Sequence, residues 1–281
     1  MPWRLTHDIS DFTAAAGDYL RSDPVRNTVP LTVLESLLQA GLDTYGETAP
    51  IFGWHQDGGP VNGAVLQTPP HPLLVASLPP GSAAELLRAV AETAGVRPAG
   101  VSLPAENAAE IGAAWARMTG GTTAVHHRMR LFRLTDLESP GVPGAARIAT
   151  DSDLDLVLEW TAAFGAETGT MDGARAVTDK LSYGGLTVWE YDCQRVAMAS
   201  LTRQVAGVCR VGSVYTPPSL RQRGYGGAVT SAVSSQALAA GAAGVVLYTD
   251  LANPTSNALY QRLGYRPVCD RTSLDLHVTP S

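Results

Sequence analysis

The chain carries an internal repeat. Trp54-x-x-Asp57-x-x-x-Val61-x-x-Ala64 returns with identical spacing as Trp189-x-x-Asp192-x-x-x-Val196-x-x-Ala199. The apolar run Leu73 to Leu78, followed by Pro79 and Pro80, returns as Gly212 to Thr216 followed by Pro217 and Pro218. Ala114 to Met118 stands opposite Leu259 to Leu263, and Arg4 to Asp8 resembles the restart at Arg147. The shared order implies a duplicated architecture, in which each copy folds as one supersecondary plan. At 281 residues the chain suits two domains of ordinary size. Two prolines and two glycines between Glu138 and Gly144 mark the linker. The expected organisation is a first domain at 1–138, a linker at 139–146 and a second domain at 147–281.

Several function classes are disfavoured. Net charge is -6, and no Lys/Arg run offers the basic patch that nucleic-acid binding needs. The start Met1-Pro2-Trp3-Arg4 has no apolar run behind it, so no secretory signal is expected, and no stretch is long and apolar enough for a membrane span. Cys193, Cys209 and Cys269 are scattered and odd in number, which argues against a disulfide framework and a zinc site. A reducing cytoplasm is the expected compartment. His126 and His127 lack a carboxylate or cysteine at ligand spacing, so no metal is expected. The five tryptophans read as core and hairpin packing.

Each half reads as strand, helical region, hairpin, strand, helix, strand, helix, strand. In the second half, 186–191 and 196–202 flank a turn at Asp192 to Arg195. A strand follows from Cys209 to Thr216, then a glycine-rich turn and a helix from Gly227 to about Ala240. After the short strand Val245 to Thr249, Asn253-Pro254 has the composition of a helix cap and first turn. Arg271 to Val278 alternates as a last strand. Early antiparallel hairpins and a later β-α-β unit predict an α/β (α+β) fold with a mixed, mostly antiparallel sheet flanked by helices.

The chemistry concentrates in Gly212 to Ala228, a strand and turn with Arg221-x-x-Gly224-x-Gly226 opening a helix. Glycines let main-chain N–H groups approach an anion, and the helix start adds unpaired donors and partial positive charge. A glycine-rich turn without ligand is the plain alternative. A dinucleotide fingerprint requires glycine where Val229 stands, and the Gly-Lys-Ser/Thr of a nucleoside-triphosphate loop is missing. On Arg221, Gly224 and Gly226 the sequence resembles the GNAT superfamily of N-acyltransferases, whose acyl-CoA loop reads Gln/Arg-x-x-Gly-x-Gly/Ala. The resemblance runs from about Arg147 to the C-terminus, and in degenerate form through the first half.

The resemblance implies that Val214, Tyr215 and Thr216 pair with pantetheine, and that Arg221, Gln222, Arg223, Gly224, Tyr225, Gly226 and Gly227 hold the diphosphate of acetyl-CoA. Pantetheine has two amides and suits addition to an open sheet edge. In the later helix Asn253, Asn257 and Tyr260 share a face, and Leu259 and Leu263 form a separate apolar stripe. A tyrosine at this position implies a general acid for the leaving thiolate. Tyr260 reads as that acid or as a packed ring, and Asn253 as cofactor contact or helix cap. A base is also needed; Glu190, Asp192 and Glu167 are candidates without a fixed motif.

The first half has Pro79 to Ala84 where a working loop would stand, and Trp115 opposite Tyr260. It is expected not to bind acyl-CoA by this mode. The whole reads as two tandem GNAT-like domains, the second transferring acetyl to a small-molecule or peptide amine in a ternary complex. A binding-only acyl-CoA sensor and a transferase using another acyl-CoA are the alternatives. Asp151, Asp153, Asp155, Glu159, Glu167 and Asp172 either draw in a cationic amine or form a solvated helix face.

Overall fold

The computed structural model describes residues 2–95, 97–169 and 173–278; Asp172 of the acidic segment lies outside them. The first half runs β1 (Trp3–Thr6), α1 (Ile9–Ser22), α2 (Thr28–Ala40), β2 (Ile51–His55), β3 (Gly63–Gln67), β4 (Leu73–Ser77), α3 (Ala83–Ala94), β5 (Gly100–Pro104), α4 (Ala108–Thr119) and β6 (Thr122–Leu134). The second repeats that order: β7 (Ala145–Ile148), α5 (Leu154–Thr168), α6 (Ala174–Ser182), β8 (Leu186–Tyr191), β9 (Gln194–Leu201), β10 (Val208–Tyr215), α7 (Tyr225–Ala239), β11 (Gly244–Asp250), α8 (Pro254–Arg262) and β12 (Tyr265–His277). Trp54 and Trp189 occupy matching first strands of the two hairpins, as the repeat predicts.

Local chemistry explains the elements. Asp8 caps α1 by accepting from the N–H groups of Ser10 and Asp11. Thr150 and Asp153 form a capping box at the entry to α5. The β8–β9 hairpin closes through Asp192 and Cys193, whose φ values of 51° and 59° match the twist of paired strands. Helix α7 buries Ala228, Val229, Val233 and Ala237 among strand residues such as Ala197, Ala199 and Val211. Removing each valine side chain from water contributes roughly 1.5–3 kcal/mol.

The chain packs as two compact units. Unit 1 comprises Met1–Leu131, Asp250–Ala252 and Cys269–Ser281; unit 2 comprises Phe132–Thr249 and Asn253–Val268. In unit 1 the strand order is β1-β2-β3-β4-β5, and the C-terminal part of β12 lies antiparallel to β5, Arg271 opposite Pro104 through Asp275 opposite Gly100. In unit 2 the order is β7-β8-β9-β10-β11, with the end of β6 beside β11. Among the described strand registers, each unit has one parallel pair, β4–β5 or β10–β11, and the others are antiparallel. The expected limits, 1–138 and 147–281, follow chain order, whereas in the packing the end of β6 from Phe132 groups with unit 2 and β12 from Cys269 groups with unit 1. Segment 139–146 lies wholly in unit 2.

β12 also begins at Tyr265, earlier than the alternation from Arg271 suggests. Among the described residues no helix is long and apolar enough to cross a membrane.

Candidate active site in the second unit

Strand β10 delivers the chain to the site. Its register with β9 shifts between Gly212 and Tyr215, where Ser213 takes a φ of 45°. A bulge of this kind bends a strand and interrupts its ladder. On the other side the parallel register with β11 runs from Val208 opposite Gly244 to Val211 opposite Leu247, and both strands continue beyond it. The bulge therefore sits where β10 leaves its partner, and Val214 to Thr216 form the stretch an extended ligand can join. The rings here face the core: Tyr215 is buried 6.0 Å from Trp160, and Tyr225 is buried 6.1 Å from Tyr191.

The loop after β10 passes through Pro218–Leu220, then Gln222 at φ 64° and Gly224 at φ 84°. Residues 221–224 are exposed. Gly224 holds the left-handed cap position of α7, and no side chain caps that helix. The N–H groups of its first turn have no carbonyl to accept them within the helix, so they remain available to an anion. A side chain at 226 would point toward the Thr216 hydroxyl, 3.5 Å from the Cβ position, so Gly226 faces the end of β10. Gly227 lies close against α8, where a Cβ would sit 3.0 Å from Leu259 Cδ1.

The arginine of the motif is a brace. Arg221 Nε donates to the Thr216 carbonyl at 2.9 Å, and Nη2 donates to both oxygens of Glu167 at 2.6 and 2.9 Å. It ties the loop to the end of β10 and to α5. Arg223 is exposed.

Helix α8 carries the other residues. Asn253 is the N-cap: its side chain accepts from the Ser256 N–H at 3.0 Å, and Asn257 donates to the Asn253 carbonyl at 2.7 Å. Both asparagines thus build the helix start. Tyr260 is buried in the core of unit 2, edge-on to Tyr265 at 6.1 Å. Burial pushes its phenol up to about 12, so it is protonated at neutral pH and has a proton to donate. Tyr265 is raised as well, first by burial, with its hydroxyl bonded to Ser234 at 2.7 Å.

Two of the three candidate bases are paired with arginines. Glu167 is paired with Arg221. Glu190 accepts from Arg147 Nε at 2.9 Å, within a network where Asp153 binds Arg147 and Arg195. The Arg147 guanidinium holds the Asp153 carboxyl far below the usual range. Asp192 is in the exposed hairpin turn.

The linker is the feature that composition could not reveal. Val142 lies 2.8 Å from the position of a Cβ on Gly224, and Pro140 lies 3.9 Å from one on Gly227. Ser139 and Ser231 share a 3.0 Å hydrogen bond, and Ser231 donates to the Glu138 carbonyl. The Pro/Gly-rich segment is folded onto the first turn of α7.

Each unit joins one parallel strand pair to antiparallel hairpins, with a helix leaving the paired strand. The chain has the GNAT fold. The FR47-like protein family model matches residues 188–273, which span this site. Among solved structures, an N-acetyltransferase from Sphaerobacter thermophilus aligns at TM-score 0.65 and 15% identity, covering 100% of this chain and 97% of that one. A GNAT-family acetyltransferase from Colwellia psychrerythraea aligns at 0.62 and 13%, covering 98% and 99%. A tandem GNAT protein of the clavulanic acid biosynthesis pathway aligns at 0.61 and 14%, covering 99% of each chain. At these identities the likeness shows the fold, including its tandem form. No curated protein sequence matches the chain. The loop Arg221 to Gly227 lies within the matched stretch.

Proposed function

We propose that unit 2 is an acyl-CoA-dependent N-acyltransferase, with acetyl-CoA as donor and a primary amine, small molecule or peptide, as acceptor. One observation carries the reading: β10 departs from β11 at a bulge and leads directly into a glycine loop and an uncapped helix start. The fit is chemical as well as spatial. The main-chain N–H groups of Gln222 to Gly227 would hold a diphosphate, and the backbone of Val214 to Thr216 would run beside the pantetheine amides. The thioester supplies an acyl carbon open to attack and a thiolate leaving group.

The chain's own groups then have separate tasks. Arg221 fixes the loop against Thr216 and Glu167, so its amides are aimed before a ligand arrives. Tyr260 keeps its proton at neutral pH and offers it to a developing thiolate. The carboxylates of Glu167 and Glu190 are paired with arginines. Within the acidic segment, Asp153 and Glu167 are likewise paired, leaving Asp151, Asp155 and Glu159 to attract a cation.

That pairing of carboxylates favours a second reading, a module that binds acyl-CoA without transferring it. The deciding experiment incubates the purified chain with acetyl-CoA and a panel of primary amines and follows free thiol. Amine-dependent release of CoA supports transfer. Tight binding with no amine-dependent release supports the binding-only module.

A further inference from the structure

Unit 1 repeats the parallel strand pair and following helix of unit 2, and side chains of the unit itself lie at the equivalent places. The β4–β5 register holds at Leu73 opposite Val101 and Leu74 opposite Ser102, after which both strands continue. There the Arg271 guanidinium intervenes, Nη2 donating to the Val75 carbonyl at 2.8 Å and to the Ser102 carbonyl at 3.0 Å. Arg271 is only 7% exposed. At the start of α3, the counterpart of α7, Glu110 accepts from the Ala83 N–H at 3.1 Å. Trp115, standing opposite Tyr260 in the repeat, is fully buried and donates its indole N–H to the His277 carbonyl at 2.9 Å.

We infer that unit 1 keeps the ligand slot of its fold permanently filled by its own side chains, Arg271 in the strand split and Glu110 at the helix start. The name of the slot rests on the reading of unit 2, whereas the filling does not. A carboxylate at a helix N-terminus meets the donors and partial positive charge that would otherwise receive an anionic group. A guanidinium bridging the Val75 and Ser102 carbonyls ties β4 to β5 beyond their shared register. Two of the three contacts come from the closing segment of β12, at Arg271 and His277. The C-terminal strand therefore completes the sheet of unit 1 and closes its slot together. Unit 1 on this account is a structural copy that takes no acyl-CoA.

Chemical rescue of the full chain tests the filling. Arg271→Ala is expected to lower the melting temperature by on the order of 10 °C, since two charge-assisted hydrogen bonds, one buried and one part-buried, are lost. Millimolar ethylguanidinium should then raise the melting temperature of the variant and leave wild type unmoved, while ethylammonium raises neither. Equal responses of variant and wild type to ethylguanidinium would overturn the inference. Should Arg271→Ala fail to fold, Arg271→Lys is compared with wild type by hydrogen exchange. About tenfold or greater loss of protection in β4 and β5, with β10 and β11 unchanged, is the expected result. Undiminished protection in β4 and β5 contradicts it. Neither readout involves coenzyme A, so a failure of the unit 2 reading cannot be confused with a failure here.

Discussion

Tyr260→Phe separates chemistry from packing. The ring is buried beside Tyr265 and the α7 core, and phenylalanine keeps those contacts. Stability at pH 7 should therefore change by about 1 kcal/mol or less. The hydroxyl, held protonated by a value of about 12, is what the variant removes. If it donates to the leaving thiolate, kcat should fall on the order of 10²-fold with CoA affinity nearly unchanged. The same hydroxyl gives an alkaline signature. Its value in the fold is raised above the ordinary phenol, so the neutral form stabilises the fold below about pH 10, and this contribution is lost as pH rises through about 12. That difference corresponds to about 3 kcal/mol. Chemical denaturation between pH 9 and 12 should thus show a smaller loss in Tyr260→Phe than in wild type. Unaltered turnover, with acyl transfer rate-limiting, would reduce Tyr260 to a packed ring.

Three further outcomes follow from the geometry. Gly224→Val must place a β-branched side chain at φ 84° and against Val142; it should cost about 1–3 kcal/mol in stability and abolish the melting shift given by acetyl-CoA, read by scanning fluorimetry. Glu167→Gln breaks an exposed pair with Arg221, so stability should change by no more than about 1 kcal/mol. Its turnover should stay within a few-fold of wild type, whereas a loss on the order of 10²-fold would restore Glu167 as the base. Asp153→Asn strips a buried carboxylate from Arg147 and Arg195 and should destabilise by about 3–5 kcal/mol in urea titration at pH 7. Because the fold holds this carboxyl low, its contribution is present above the unfolded value near 4 and fades as pH falls, so the gap between wild type and variant should narrow in acid.

Much of the plan was legible because it is written in local signals. Asp192-Cys193 closes the predicted hairpin, Asn253-Pro254 starts α8, and the Trp54 and Trp189 motifs fall on equivalent strands. Gly224 marked the loop because a left-handed cap leaves few other residues possible. Non-local partners were not legible. Alternation in β12 identifies a strand but not its neighbour, so nothing local announces that Arg271 pairs opposite Pro104 in unit 1. Pro140 and Val142 read as linker by composition, yet they pack on α7. Arg221 and Glu167 are 54 positions apart, and only the fold reveals that one neutralises the other.

The central claim is that a single acyl-CoA site lies at Arg221 to Gly227. Calorimetric titration of the full chain with acetyl-CoA tests it most directly, beside Gly224→Val as control. The account predicts one molecule bound per chain and none in the variant. Two molecules per chain, or binding that survives Gly224→Val unchanged, would contradict it.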